Sequence, residues 1–413
     1  MNAPANPLAK FLRKYLTEIV LIFGCILVFG FTALINDAYV SRFQYNVQHI
    51  IRYTSMLGIF AVGASIVIIS GGIDLSSGSM IAFGGMTCCM TISILSRLVA
   101  PDSADPTADV PLWIIASAIM ITMLVGLLVG TLHTWLITIV GLPPFVATLA
   151  SLVGLRSLAL IMTKAVTAWQ GQQAFKINIQ DEMFGFLGSQ WWIPLVVFAV
   201  VAGTAWILMN KTVTGRHLYA MGGNEQAAKL SGIRTERLKW LAYCLGTSTA
   251  AIAGILFSSE VGSSDPQTQG IGYELFAIAA AVVGGCSLQG GVGRITGVVM
   301  GAMFLRVVID AVAKIIGSGS SDYEGLIVGL LVVLAVAFNQ LSGQRQGWKK
   351  QFFPGLLGWM TIPIISLAVG ASVLTPEGSL GFGLTVAAIT LAVLSFLKVG
   401  ADMATTQGGK SHG

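Results

Sequence analysis

Asp74 raises the first chemical question in this sequence. It lies between two apolar runs, in Ser70-Gly71-Gly72-Ile73-Asp74-Leu75-Ser76-Ser77-Gly78, where a carboxylate is costly unless it faces a cavity or finds a partner. Asp or Ser ahead of a helix takes up free backbone N–H groups, so Asp74, Ser76 and Ser77 suit a helix cap. The same residues suit direct solute contact or a gate, and the two roles are compatible. Glu274 poses a similar choice at the start of another apolar run, after Ser263-Ser264-Asp265-Pro266-Gln267: it caps a helix or lines a vestibule. Arg156 lies within an apolar run and is expected to pair inside a bundle or to snorkel to an interface. His133 and His217 are isolated histidines, and Cys25, Cys88, Cys89, Cys244 and Cys286 show no CxxC spacing. They read as packing residues, not metal ligands. No Ser-His-Asp or Cys-His grouping is recognisable, so neither a catalytic site nor a metal site is expected.

The elements that must hold these residues are membrane spans. Of 413 residues, 55% are apolar and 10% charged, with a mean hydropathy of +0.81; soluble domains carry about 25% charged residues. Apolar runs long enough to cross a hydrocarbon layer of about 30 Å fall at 16–35, 55–71, 79–96, 112–139, 144–164, 192–210, 240–259, 274–289, 295–316, 323–341, 355–374 and 380–398. The run from Leu16 lacks a small-x-small cleavage pattern and reads as a retained first span. With the N-terminus in the cytoplasm, fifteen Lys and Arg are cytoplasmic (10, 13, 14, 211, 216, 229, 234, 237, 239, 294, 345, 349, 350, 398 and 410). Only four (42, 52, 97 and 176) are external. That asymmetry obeys the positive-inside rule, so the net charge of +5 is a topology signal rather than a nucleic-acid surface. Membrane lipid is the surrounding partner. The reading is an all-α polytopic bundle of about ten core spans, with a two-span C-terminal extension.

The longest cytoplasmic connection, 211–239, contains Gly222-Gly223-Asn224-Glu225-Gln226-Ala227-Ala228-Lys229-Leu230-Ser231-Gly232. Asn224 suits an N-cap, Ala227 and Ala228 are good helix formers, and Gly232 suits a stop. A short charged helix with small residues fits docking into a groove on another protein. Elsewhere, Val283-Gly284-Gly285-Cys286-Ser287-Leu288-Gln289-Gly290-Gly291 repeats the Gly-Gly-x-x-Leu-x-x-Gly pattern that begins at Gly71 and Gly72. Paired glycine interruptions in two halves of a transporter point to broken helices around a central path.

The loop Gly-Gly-Asn-Glu-x-Ala-Ala-x-Leu-Ser-Gly-Ile resembles the coupling-loop signature of ABC importer permeases of the ribose/xylose/galactose branch. The stretch Ser70–Gly85, the segment Leu142-Pro143-Pro144-Phe145-Val146-Ala147-Thr148-Leu149 with Arg156-Ser157-Leu158, and Gly272-Tyr273-Glu274-Leu275 leading to Val283-Gly284-Gly285 are similar to other signatures of that family, in order. The resemblance implies a non-catalytic membrane subunit in the bacterial plasma (inner) membrane that binds no cofactor itself. It implies three partners: an ATPase that uses ATP and Mg, a periplasmic or extracellular solute-binding protein, and a second permease copy forming a homodimer. Gly222, Gly223, Asn224, Glu225, Ala227, Ala228, Leu230 and Gly232 would then couple to the ATPase. Asp74, Ser76, Ser77, Phe145, Thr148, Glu274 and Gln289 would lie on the path or its gate, with Gly71, Gly72, Gly284 and Gly285 breaking helices.

The permease region is expected over 1–342 and the extension over 343–413. The nearest approach to a phosphate-binding loop, Gly408-Gly409-Lys410-Ser411, has Ala404 where the first glycine belongs. The expected solute is a monosaccharide or a similar neutral polyhydroxylated molecule, for which a path poor in charges suffices; a nucleoside, a polyol or a sugar-like autoinducer are alternatives. An ion-coupled secondary transporter is the rival class. It needs an intramembrane carboxylate relay, for which Asp74, Glu274 and Asp310 are poor candidates.

Overall fold

The computed structural model describes residues 15–103, 105–316, 323–333 and 355–372, with parts of 384–398. Its helices are α1 (Leu16–Ile35), α2 (Asp37–Ser41), α3 (Phe43–Ile69), α4 (Ser77–Val99), α5 (Leu112–Thr138), α6 (Pro144–Trp169), α7 (Glu182–Ser189), α8 (Trp192–Lys211), α9 (Val213–Gly223), α10 (Glu225–Leu230), α11 (Thr235–Val261), α12 (Tyr273–Val283) and α13 (Ile295–Ile316). Two more follow, α14 (Tyr323–Val333) and α15 (Gly355–Ser372). A two-residue antiparallel ribbon, β1 (Ile177–Asn178) with β2 (Ser263–Ser264), pairs Ile177 with Ser264. The chain divides into two compact units, Met1–Asn339 and Gln340–Gly413. In the second, α15 presents Trp359, whose ring lies 5.4 Å from the Lys398 ammonium.

Eight helices among the described residues are long and apolar enough to cross a membrane: α1, α3, α4, α5, α6, α8, α11 and α13. The chain is therefore an all-α, multi-pass membrane protein. Two spans differ from the sequence reading. The candidate at 274–289 is only the eleven-residue α12, about 16 Å long at 1.5 Å per residue, too short to cross alone. The candidate at 55–71 begins at Phe43 instead, because its polar first turns are held by polar partners on other helices. Arg52 meets Glu260 at 3.0 Å, Tyr53 donates to the same carboxylate, and His49 faces Asp310 at 3.2 Å. Of the candidates at 323–341 and 380–398, much of the second half of the first and parts of the second fall outside the described residues, as do Lys10, Arg13, Lys14, Arg345, Lys349, Lys350 and the stretch 404–411.

The core is α3, α4 and α11, each 83% buried over its apolar window, against 22% for α1, α6 and α8. Helix α11 packs on α3, α4 and α5 through small residues. A methyl on Gly84 would stand 3.0 Å from the Ala251 Cα, one on Gly130 2.5 Å from the Cys244 Cα, and one on Gly254 would enter the Ile81 carbonyl. Thr247 seals the α5 crossing by donating to the Gly126 carbonyl at 2.8 Å. Backbones come this close because apolar side chains gain little by leaving lipid for one another.

Gly254→Ala is therefore expected to cost about 1–3 kcal/mol by overpacking and to lower the melting temperature of the detergent-solubilised protein. Gly203→Ala in α8, where an added methyl meets nothing within 4 Å, is expected to leave it unchanged or slightly raised. Equal melting temperatures for the two variants would overturn this account of the core.

Candidate functional site

The cytoplasmic connection expected to couple, 211–239, folds as α9, α10 and the start of α11. The Asn224 side chain caps α10 by accepting from the Ala227 N–H at 2.9 Å, and Gly232, at φ +80°, ends the turn. Ala228 is buried against the bundle while Leu230 is 90% exposed, so the helix keeps one small residue inward and projects a large apolar one outward. Glu225 clasps the turn shut, meeting Lys229 at 3.0 Å and Lys239 of α11 at 2.8 Å. Partial burial pushes the Glu225 carboxyl up, but hydrogen bonds and charge from Lys239 and Lys229 outweigh it, leaving it below the usual carboxylate value.

Of the predicted glycines, Gly71 lies against Gly222 at the end of α9, whereas Gly72 faces Tyr243 and Gly284 faces Gly297 of α13. Gly71 and Gly285 both have positive φ, +86° and +91°, and both sit in the same helix-ending arrangement. The Gly72 N–H bonds to Val67 O and Gly71 N–H to Ile68 O; the Cys286 N–H bonds to Ala281 O and Gly285 N–H to Val282 O, all at 2.9 Å. This is the Schellman pattern. The two caps match one residue out of step with the sequence repeat, which pairs Gly71 with Gly284. Gly284 instead allows α12 to cross α13, since a methyl there would lie 2.7 Å from the Val298 nitrogen. Gly71 and Gly72 end the full-length α3, so of the two glycine pairs only the second follows a half-length helix.

Three segments then join. Gly291 N–H bonds to Ile69 O at 2.9 Å, and Tyr219 of α9 donates to Gly293 O at 2.9 Å. A methyl on Gly222 would stand 2.6 Å from the Gly291 nitrogen and collide with the Ile69 carbonyl; one on Gly290 would stand 2.6 Å from Gly222 O and 2.8 Å from the Gly71 Cα. The end of α9, the end of α3 and the loop after α12 thus touch backbone to backbone. Gln289 is exposed beside this junction.

From Gly72 the chain runs without helix to Ser76. Asp74 is 3% exposed, and its Oδ1 accepts from the Ser76 N–H at 2.8 Å and hydroxyl at 2.6 Å. It caps the turn entering α4 through Ser76 rather than bonding to Ser77, whose hydroxyl has no protein partner. Asp74 Oδ2, the Tyr243 hydroxyl and both His133 ring nitrogens also lack protein partners. The His133 and Tyr243 ring centroids are 6.0 Å apart. Thr148 is fully buried, its hydroxyl within hydrogen-bond reach of Pro144 O on its own helix at 3.0 Å and of Ile73 O on this loop at 3.2 Å. Phe145, one turn earlier on α6, is 48% exposed.

Glu274 lies on the first turn of α12, its Oε2 buried without a protein partner against Gly78 of α4, where a methyl would collide with it. Across from it, Arg156 Nη1 donates to Pro266 O at 2.8 Å and Gln269 O at 3.0 Å. Both side chains line an opening of about 310 Å³. Sequence reasoning singled out Asp74 and Glu274, read Arg156 as pairing inside the bundle or snorkelling and His133 as a packing residue, and did not single out Tyr243. The available signal was a polar side chain within an apolar run, which is costly unless it has a task; Tyr243, as an ordinary amphipathic residue, gave none. Among the described residues there is no cluster of three His, Cys, Asp or Glu side chains suited to a metal.

Because the Glu225 carboxyl is held down, its clasp contributes stability above the ordinary value near pH 4.5 and loses it as pH falls through the lowered folded value. Amide hydrogen exchange in α10, normalised for intrinsic rate, is expected to accelerate below about pH 4.5 in the parent and to be already fast and pH-independent in Glu225→Gln. An identical profile in the two proteins would remove the clasp from the account.

Residues 46–336 match the family described as "Branched-chain amino acid transport system / permease component". The chain is 30% identical to the ribose import permease protein RbsC of Haemophilus influenzae, over 81% of this chain and 96% of that protein. It is 33% identical to RbsC of Escherichia coli strain K12, over 70% of this chain and 84% of that protein. It is 28% identical to the xylose transport system permease protein XylH of the same strain, over 76% of this chain and 89% of XylH. No solved structure matches. With the family match spanning most of the membrane bundle and the glycine junction at its base, the chain belongs to this family of membrane-spanning transport permease components.

Proposed function

We propose that this chain is the permease subunit of an ATP-driven importer for a monosaccharide or a similar small, neutral, polyhydroxylated solute. The observation that carries this reading is the glycine junction. The loop projecting Leu230 is in backbone contact, through Gly222, with both segments that lead to Asp74 and to α12. A push on α10 by a partner ATPase therefore reaches the path without passing through soft side chains. The ATPase binds ATP and Mg; this chain supplies the exposed Leu230, Ala227 and Lys229 as its docking face. The names of the ribose and xylose relatives support the solute class. A solute-binding protein delivers the solute at the opposite end, and a second permease copy completes the path along α6, whose outward face carries Phe145, Val153 and Ile161. The Lys and Arg distribution supports a cytoplasmic N-terminus. Closure of the ATPases rocks α9 and α10 and moves the Gly71 and Gly290 loops, exchanging access from one side to the other.

An ion-coupled transporter is the second reading, favoured by one observation: the buried Asp74, His133 and Tyr243 have unpartnered polar atoms, as a proton relay would. Uptake into energised vesicles separates the two. Inhibition by vanadate with only indirect loss under a protonophore supports the importer; immediate collapse under the protonophore with indifference to vanadate overturns it.

Two variants test the coupling surface. Leu230→Asp is expected to abolish co-purification of a Walker-motif ATPase while leaving the fold intact, since the side chain touches solvent. Gly222→Ala is expected to retain the ATPase but to lower solute moved per ATP by roughly tenfold, whereas Gly223→Ala, where a methyl meets nothing within 4 Å, keeps the parent ratio. Equal ratios in the two glycine variants would remove the junction from the mechanism.

A further inference from the structure

Arg156 occupies the middle of α6, about as far from either helix end as a residue of that span can be. A guanidinium at such depth on a face open to lipid would be expensive, yet this one borders an opening of about 310 Å³ together with Glu274, Ser157, Leu152, Val153 and Ile271. Two opposite charges thus share one small space. They form no salt bridge: among the described residues every pair within 4.0 Å involves other partners.

The reason they stay apart is visible on both sides. Arg156 is tethered by one nitrogen to the carbonyls of Pro266 and Gln269, within the irregular segment before α12. Glu274 is backed against Gly78 by the close packing of α12 on α4. Each is fixed by its own element, and the gap between them is left for something else. Arg156 has further N–H donors to give, Glu274 a second carboxylate oxygen, and Ser157 a hydroxyl.

A fixed cation and a fixed anion on one opening make poor recognition for an ion, which is drawn to one wall and repelled by the other. They suit a neutral molecule carrying adjacent hydroxyls, one accepting from the guanidinium while the other donates to the carboxylate. Charge-assisted hydrogen bonds of this kind are the strong ones. Leu152, Val153 and Ile271 supply an apolar wall for the carbon skeleton.

We propose that Arg156 and Glu274 are the solute-recognition pair of this permease, and that they read a vicinal diol. Arg156 also ties the segment 262–272 to α6, so occupancy of the gap and the position of that segment are linked. This inference rests on the importer reading and names the recognition site within it.

The test uses the complete importer (permease, ATPase and binding protein) in proteoliposomes, with labelled D-ribose and 2-deoxy-D-ribose, which has lost both vicinal diols that include C2. Binding protein is saturating, and ATP hydrolysis and pentose uptake are measured together. In Glu274→Gln and Arg156→Gln we expect ATP hydrolysis stimulated by loaded binding protein to persist, while D-ribose moved per ATP falls about tenfold or more. The preference for D-ribose over 2-deoxy-D-ribose should vanish in both variants and be partly kept in Arg156→Lys. An unchanged yield and preference overturns the inference and leaves the importer reading standing. Parallel loss of hydrolysis and uptake in these variants and in Arg156→Lys and Glu274→Asp assigns the pair a structural role and likewise overturns it. If the parent importer hydrolyses ATP but moves neither pentose, the pentose reading of the importer itself has failed, which is a separate result.

Discussion

Close approach of backbone to backbone is the constraint on which the rest of this structure depends. In a hydrocarbon solvent, apolar side chains gain little from touching one another, so helices are held by packing and by hydrogen bonds across short interaxial distances. The α11 crossings on α4 and α5 use Gly84, Gly126, Gly130 and Gly254 for this purpose. Helix α11 could not lie so deep if those positions carried side chains, and Tyr243 would not then stand beside Asp74. The buried polar cluster is thus a consequence of how α11 is seated, as much as of the residues that form it.

The second constraint is that no backbone polar group can be left to lipid. Three irregular segments run through or along the bundle: 70–76, 262–272 and 284–294. Each is kept viable by donors from its neighbours. Thr148 reaches the Ile73 carbonyl, Arg156 those of Pro266 and Gln269, and Tyr219 that of Gly293. The same contacts tell each segment which helix to follow: α6 for the first two, α9 for the third. Side chains that satisfy the backbone therefore also decide what moves with what.

Much of this was legible from the residues alone, where the governing physics is local. The Asn224 cap, the Gly232 stop and the apolar spans follow from propensities and hydropathy, and they recur in the structure. What was illegible depends on partners distant in sequence. Phe43 starts a long helix because Glu260 pairs with Arg52 and Asp310 faces His49, and no window around residue 50 contains that information. The eleven-residue α12 was read as a full span because 275–288 is predominantly apolar; its length is set by the cap at Gly285, a positive-φ position that a glycine pair announces without saying which of the two takes it. The role of Arg156 was obscure for the same reason. Its partners are carbonyls, which every residue possesses and no sequence pattern marks.

The junction of Gly71, Gly222, Gly290 and Gly291 unites the two constraints. Interdigitated side chains resist sliding, because a core is close-packed and bistable rather than continuously deformable. Bare backbone surfaces present no knobs to lift over, and the bonds holding this junction are few: Gly291 to Ile69 and Tyr219 to Gly293. Such a contact transmits compression, since there is no soft matter between its faces, yet it permits lateral displacement at modest cost. A side-chain packed joint would do the reverse, gripping laterally while yielding through its rotamers. On the proposed importer reading, a loop that passes a push from α10 to two separate segments, and lets them shift relative to one another, is therefore best built from glycine where it touches them and from a capped, clasped helix where it is touched.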